Sequence, residues 1–121
     1  MHAVDGAQDH LDALSYAARH SRGLKPVTTE RRDLFRRPLI KEELSRFDAI
    51  VMDPPRAGAR AQSEALAASR VGRIAYVSCN PVTFARDAKI LLDGGYKLAR
   101  VVPVDQFLWS PHIELAARFT R

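Results

Sequence analysis

The sequence predicts an α/β fold built on a mainly parallel sheet, with an antiparallel pair of strands at its C-terminal end. Short apolar segments alternate with segments of helical spacing along most of the chain, as they do in parallel α/β sheets. The last two apolar segments follow each other without a helix between them, so we expect them to pair antiparallel. The length of 121 residues, 46% hydrophobic and 27% charged, suits one globular domain.

Each element has its own local signal. In chain order, the predicted elements are strand 2–5, helix 8–21, strand 26–30, helix 40–46, strand 47–52, helix 60–69, strand 73–78, helix 80–92 and strands 96–104 and 112–119. The first helix follows from the spacing of Leu11, Leu14 and Ala18, with Gly23 beyond its end. The third helix is predicted from a segment rich in alanine.

The clearest boundaries lie in the second half of the chain. Pro54 and Pro55 end the third strand, because proline offers no amide donor to a sheet. Asn80 suits the N-cap of the last helix and Pro81 its first position, and two glycines follow the end of that helix.

Composition excludes several classes of protein. No apolar run approaches the ~18 residues of a membrane-spanning helix, and the first residues lack the pattern of a signal peptide. One cysteine rules out a disulfide scaffold and favours a cytoplasmic location. Four scattered histidines and that cysteine lack the spacing of a zinc site, so we expect no metal. The net charge of +5 favours a polyanionic partner, and the basic run 30–37 is either a solvated edge or a phosphate contact.

Ligands of open α/β sheets bind beyond the carboxyl ends of the strands. The polar candidates at or near predicted strand ends are Asp5, Asp53, Arg56, Cys79, His112 and Glu114. Cys79 precedes a predicted helix, and the partial positive charge at a helix N-terminus stabilises a thiolate, as a nucleophilic cysteine requires. The sequence allows equally that Cys79 is a small buried side chain of the core. Asp53 begins a rigid Pro-Pro turn that can fix a carboxylate, or that only ends the strand.

The carboxylates of the first and last strands also allow two interpretations. His112 and Glu114 are two residues apart in the last predicted strand, so we expect them on one face. Burying an unpaired carboxylate costs free energy, so either that face is exposed to solvent or Glu114 is a general base. His112 alone is more typical of a structural histidine. Asp5 could bind ribose hydroxyls, or be an exposed residue or a helix N-cap.

Three segments occur together in one order: FDAIVMDPPRAG at 47–58, YVSCNPVTFARD at 76–87, and VDQF at 104–107 through HIE at 112–114. In combination they resemble the RNA uracil-5-methyltransferase family, which uses S-adenosylmethionine. The SCNP stretch is the most specific part, and the resemblance covers nearly the whole chain. It implies a Rossmann-like class I methyltransferase sheet. It also implies that the substrate is structured RNA, either ribosomal or transfer RNA.

The resemblance also implies roles for the candidate residues. Cys79 would add to carbon 6 of the target uracil, and Glu114 would remove the proton from carbon 5. Asp5 and Asp53 would bind S-adenosylmethionine, with Asp53 positioning either the cofactor or the base edge. The substrate-binding residues implied in the same way are Arg56 and His112.

The chain departs from the family in two places. Its six glycines, at positions 6, 23, 58, 72, 94 and 95, form no glycine-rich loop after a first strand. We therefore expect residues 1–121 to be the C-terminal portion of a catalytic domain, without the first strand, and to be inactive in isolation. Residues 107–111, FLWSP, stand where the family more often has a Phe-Pro turn with threonine, and Phe107 or Trp109 could stack on RNA.

Two other functions remain open from the sequence. Amino-methyltransferases acting on nucleobases also carry an acid or asparagine before two prolines, but an aromatic residue follows where this chain has Arg56. The chain could instead be a non-catalytic remnant that binds RNA through its basic surface.

Overall fold

A computed structural model describes residues 1–105, 109–110 and 112–121. The chain divides into two compact units, Met1–Pro38 and Leu39–Arg121. In chain order, the elements of the described residues are β1 (His2–Asp5), α1 (Gln8–His20), β2 (Thr28–Arg31), α2 (Lys41–Leu44), β3 (Ala49–Met52), α3 (Arg60–Ala67), β4 (Arg73–Ser78), α4 (Pro81–Asp93), β5 (Lys97–Val104) and β6 (Glu114–Thr120). None of the helices in these ranges combines the length and apolar character needed to cross a membrane.

The first unit is a βαβ arrangement. Strands β1 and β2 pair in parallel and α1 connects them, with Leu11 as its buried residue. Strand β2 begins two residues later than predicted. Part of the basic run 30–37 is used internally, because the buried Arg32 donates hydrogen bonds to the backbone carbonyls of Arg37 and Pro38. Arg32 is therefore a structural arginine, neither a solvated edge residue nor free to contact a phosphate.

The second unit contains a four-stranded sheet in the order β3-β4-β6-β5. Strands β3 and β4 are parallel, while β6 runs antiparallel to both β4 and β5. The α/β class and the antiparallel C-terminal pair are therefore confirmed. Strand β6 begins at Glu114, where it pairs with Val104 at the end of β5. The prediction that His112 lies in this strand is wrong, because β6 begins two residues later, at Glu114.

The core of this unit lies between one face of the sheet and helices α3 and α4. Alternate residues of β4 and β6 point into it, and the ring of Phe84 contacts the rings of both Tyr76 and Phe119. The largest apolar side chains of this core that are fully buried are Leu44, Leu66, Val71, Ile74, Tyr76, Leu91 and Phe119. Their burial fixes which face of β4 and β6 turns inward.

Helix α4 begins as the sequence predicts. The side chain of Asn80 accepts a hydrogen bond of 3.0 Å from the amide of Val82, and Pro81 occupies the first turn. Gly94 caps the other end. The capped start of α4 therefore fixes the backbone directly after Cys79.

Candidate functional site

The register of β4 and β6 brings Cys79 and Glu114 to the same end of the sheet. The last pair of this antiparallel ladder joins Ser78 to Leu115. The next residue of the chain after β4 is Cys79, and the residue before Leu115 is Glu114, the first of β6. Directly opposed residues of an antiparallel pair have α-carbons about 4.5–5.5 Å apart. The sheet thus places Cys79 and Glu114 each next to the Ser78–Leu115 pair, although they are 35 residues apart in sequence.

Asp53 reaches this end of the sheet from β3. The parallel register joins Met52 to Tyr76, so Asp53 leaves β3 beside Val77. A shallow open depression of about 390 Å³ connects Asp53 with Glu114, and its lining is Asp53, Val77, Val104, Glu114, Leu115 and Ala116. Aliphatic side chains form the floor, and the two carboxylates provide hydrogen-bond acceptors. Such a surface suits a flat heterocycle that presents N–H donors.

Cys79 lies in the turn that leads into α4. Its side chain is half-buried, and the hydroxyl of Ser78 bridges this turn by accepting from the Asn80 amide at 3.2 Å. In the first turn of α4, which follows directly, the amides of Val82 and Phe84 both donate to Asn80. The position therefore leaves Cys79 partly accessible, directly before a capped helix start.

The loop that carries Asp53 and Arg56 is held against α4 by backbone hydrogen bonds. The carbonyl of Arg56 accepts from the Asn80 side-chain amide at 3.1 Å and from the Thr83 hydroxyl at 3.0 Å. Gly58 turns the chain with a φ of +76°. A β-carbon there would lie 2.6 Å from both Arg86 and Asp87, so only glycine fits.

A buried carboxylate lies behind this loop. Asp87 is 0% exposed, and its Oδ2 accepts hydrogen bonds of 2.6 Å from both the Ala59 amide and the Tyr76 hydroxyl. Its Oδ1 accepts from Arg86, whose Nε and Nη2 lie 2.8 and 2.7 Å away. Burial and the hydrogen bond to Asp87 raise the pKa of Tyr76 well above its ordinary value. The phenol therefore stays a donor throughout the physiological pH range.

Sequence reasoning missed this network, although the sequence carries a signal for it. Phe84, Asp87, Ala88 and Leu91 recur at helical spacing and are all buried. A carboxylate on the apolar stripe of a helix requires partners, because an unpaired buried charge is strongly destabilising. Apart from Arg86, the partners come from the loop after β3 and from β4, so they were not recognisable from the helix alone.

Arg56 and His112, the two residues implied to bind substrate, are exposed. Within the described ranges, the guanidinium of Arg56 contacts no carboxylate. His112 precedes β6, and its backbone amide donates to the Ser110 hydroxyl at 3.2 Å. Trp109 is fully exposed with a φ of +62°. Phe107 lies outside the described residues.

Asp5 belongs to the other compact unit. It is the last residue of β1, and its Oδ1 accepts a hydrogen bond of 2.7 Å from the Ala7 amide. Its Oδ2 lies 3.6 Å from His10, and the side chain is 46% exposed. The part of the chain that the structure describes contains no group of three or more His, Cys, Asp or Glu side chains able to hold a metal ion.

Comparison with known proteins gives a consistent result. The family model described as tRNA (Uracil-5-)-methyltransferase matches residues 3–121. An uncharacterized RNA methyltransferase of Agrobacterium fabrum is 59% identical over 117 residues, which are 97% of this chain and 28% of that protein. A 23S rRNA (uracil(1939)-C(5))-methyltransferase of Alteromonas naphthalenivorans is 45% identical over 75 residues, 62% of this chain and 16% of that protein.

A solved structure agrees with this match. The Pyrococcus abyssi tRNA (uracil-54, C5)-methyltransferase, in complex with S-adenosyl-L-homocysteine, superposes with a TM-score of 0.81 at 30% identity. The superposition covers 98% of this chain and 28% of that one. The chain therefore has the α/β fold of a methyltransferase, and it spans little more than a quarter of the length of such proteins.

Proposed function

Because the chain belongs to the tRNA (uracil-5-)-methyltransferase family, we propose that its protein methylates carbon 5 of a uridine in RNA with S-adenosylmethionine. The observation that carries this proposal is the register of β4 and β6, in which Cys79 and Glu114 follow the Ser78–Leu115 pair. A nucleophile and a base at adjacent positions are the two groups that this reaction requires from the protein.

Cys79 is the proposed nucleophile. Carbon 5 of uracil is a poor nucleophile, and addition of the Cys79 thiolate to carbon 6 forms a carbon–sulfur bond that changes this. The electron pair of the 5,6 double bond then moves to carbon 5 and oxygen 4 as an enolate. Cys79 lies directly before the N-terminus of α4, an end of a helix that favours negative charge.

Glu114 is the proposed base. After carbon 5 has gained its methyl group, Glu114 accepts the remaining proton of carbon 5. The electron pair of that C–H bond re-forms the 5,6 double bond while the carbon–sulfur bond breaks, which returns the thiolate of Cys79. Glu114 is half-buried in the depression that it shares with Asp53, so a bound ring would shield it from water. Asp53 is then able to accept from an N–H of the base or to orient the cofactor.

The described acids suit S-adenosylmethionine, whose sulfonium supplies an electrophilic methyl group. A ribose hydroxyl requires an acceptor with unused capacity, and Asp5 retains such capacity at Oδ2. We propose that Asp5 accepts from the ribose. Arg56, exposed on its anchored loop, and the exposed His112 are proposed to contact the RNA, with Arg56 on a phosphate.

Trapping on a modified RNA tests the nucleophile. The intact protein is incubated with S-adenosylmethionine and RNA that contains 5-fluorouridine, because fluorine cannot leave carbon 5 as a cation. We expect a stable covalent adduct that peptide mapping locates at Cys79, and no adduct with Cys79→Ala. An adduct at another residue, or full methylation by Cys79→Ala, contradicts the assignment. Methylation of a base amine by that variant identifies an amino-methyltransferase.

We also propose that these 121 residues form a partial catalytic domain that is inactive alone. Their glycines are scattered and form no glycine-rich loop, and the chain covers 28% of the length of a relative such as the Agrobacterium protein. Calorimetric titration of the folded chain with S-adenosylmethionine should show no binding, whereas the intact protein should bind. Micromolar binding by the chain alone contradicts this proposal.

A further inference from the structure

We propose that Asp87 is a positioning residue that holds the loop bearing Asp53 and Arg56 in register with Cys79. This inference rests on the proposed function, because it assigns Asp87 a part in methyl transfer without contact with substrate. Asp87 lies one helical turn beyond Thr83 on α4, and its carboxylate joins that helix to two other elements.

Helix α4 holds the loop at three successive backbone groups. The carbonyl of Arg56 is held by Asn80 and Thr83, as described above. The carbonyl of Ala57 accepts from Arg86 Nη2 at 3.0 Å. The amide of Ala59 donates to Asp87 Oδ2 at 2.6 Å. The last two of these groups depend on Asp87, which binds one directly and orients the guanidinium that binds the other.

The same carboxylate is tied to the strand that leads to the nucleophile. Tyr76 is fully buried in β4 and donates its hydroxyl to Asp87 Oδ2 at 2.6 Å. Strand β4 ends two residues after Tyr76, and Cys79 follows at once. Asp87 therefore joins the loop after β3, the strand that leads to Cys79 and the helix that begins after it.

Burial makes this junction stiff. Asp87 is fully buried, so water cannot take the place of a donor that moves away. Moving a donor would therefore leave the carboxylate without a partner, which costs free energy. A displacement of about 1 Å of a group that positions substrate can slow catalysis about 10²-fold. The proposed attack on carbon 6 needs Asp53 and Cys79 at a fixed separation, and Asp87 provides the connection that sets it.

The test compares Asp87→Asn with a matched control on the same helix. The amide has one oxygen instead of two, so its NH₂ group must face either Arg86 or the Ala59 and Tyr76 donors. We expect kcat for methyl transfer to fall about 10²-fold. The rate of adduct formation at Cys79 on 5-fluorouridine RNA should fall in parallel. Asp93→Asn, which removes an exposed carboxylate paired with Lys89, should keep wild-type kcat.

Hydrogen exchange gives a readout that does not require activity. In the intact protein carrying Asp87→Asn, the Ala59 amide should exchange at least about tenfold faster, while Asp93→Asn leaves it unchanged. If the Ala59 amide of the wild-type protein exchanges slowly but the protein methylates no uridine, the proposed function is wrong, while the anchoring of the loop by Asp87 is supported. If Asp87→Asn is folded and retains wild-type kcat, the positioning role is overturned.

A second variant covers the case in which Asp87→Asn does not fold. Tyr76→Phe keeps the ring and removes only one of the donors to Asp87. It should lower kcat by a smaller factor when assayed well below its unfolding temperature. A kcat equal to wild type in this variant, together with unchanged exchange at Ala59, overturns the proposal.

Discussion

Replacing Tyr76 with phenylalanine should destabilise the protein by an amount that depends on pH. The ring is retained, so no cavity forms, and the change is the loss of one hydrogen bond to the buried carboxylate of Asp87. Hydrogen bonds to charged groups contribute about 1.5–3 kcal/mol, and Asp87 keeps its bonds to Ala59 and Arg86. We therefore expect a loss of about 2 kcal/mol in the free energy of unfolding at pH 7.

The pH dependence follows from the raised pKa of Tyr76. Burial and Asp87 disfavour the phenolate in the folded state, so the unfolded chain ionises first as the pH rises above about 10. The folded state then binds more protons than the unfolded state, and stability falls with increasing pH. The stabilisation is complete below that pH and should decline by about 1.4 kcal/mol per pH unit above it. The difference between wild type and Tyr76→Phe should therefore shrink between pH 10 and 11.

Urea unfolding of the intact protein from pH 7 to pH 11 measures both effects, with fluorescence and hydrogen exchange of core amides as signals. Tyr16→Phe, which removes a phenol that is 62% exposed, is the matched control and should behave as wild type. The reasoning is refuted if Tyr76→Phe costs less than about 0.5 kcal/mol at pH 7, or if its deficit is the same at pH 11.

Three further outcomes are expected. Gly58→Ala should destabilise the protein more than Gly23→Ala by about 1–3 kcal/mol in urea unfolding, because both have a positive φ but only Gly58 has Arg86 and Asp87 at 2.6 Å from a new β-carbon. Leu66→Ala, at a fully buried position, should lose about 2–5 kcal/mol, while Leu92→Ala, which is 41% exposed, should lose far less. Glu114→Gln should accumulate a covalent complex with ordinary uridine RNA, visible on denaturing gels, because the carbon 5 proton stays in place.

The elements predicted most accurately are those with local signals. Helix α4 begins at Pro81 after an Asn80 cap, because both preferences come from the backbone of those two residues. The antiparallel pair at the C-terminal end was predictable because no helix separates its strands. The order of polar residues after β3 and β4 likewise placed Asp53 and Cys79 at one end of the sheet.

The features that were missed depend on partners distant in sequence. Strand β6 begins at Glu114, which pairs with Val104 at the end of β5. The sequence pattern around His112 does not indicate where this pairing ends. Asp87 lies on the apolar stripe of α4, and only the packing of α4 on β4 and on the loop after β3 brings the Tyr76 hydroxyl and the Ala59 amide to its carboxylate. Local patterns predict elements, whereas register and buried polar networks arise when those elements meet.

The register of β4 and β6, which positions the candidate site, is stabilised by the packing of the core. A shift of one residue between β4 and β6 would separate Cys79 from Glu114, and it would also turn the inward-facing residues of β6 toward solvent. Ala117 and Phe119 are buried in the core opposite Tyr76 and Ile74, so such a shift would expose a large apolar area. The core therefore fixes the register on which the positions of the two proposed reacting groups depend. Substitutions at Phe119 should thus affect stability and the proposed chemistry together, whereas substitutions at Glu114 should affect the chemistry alone.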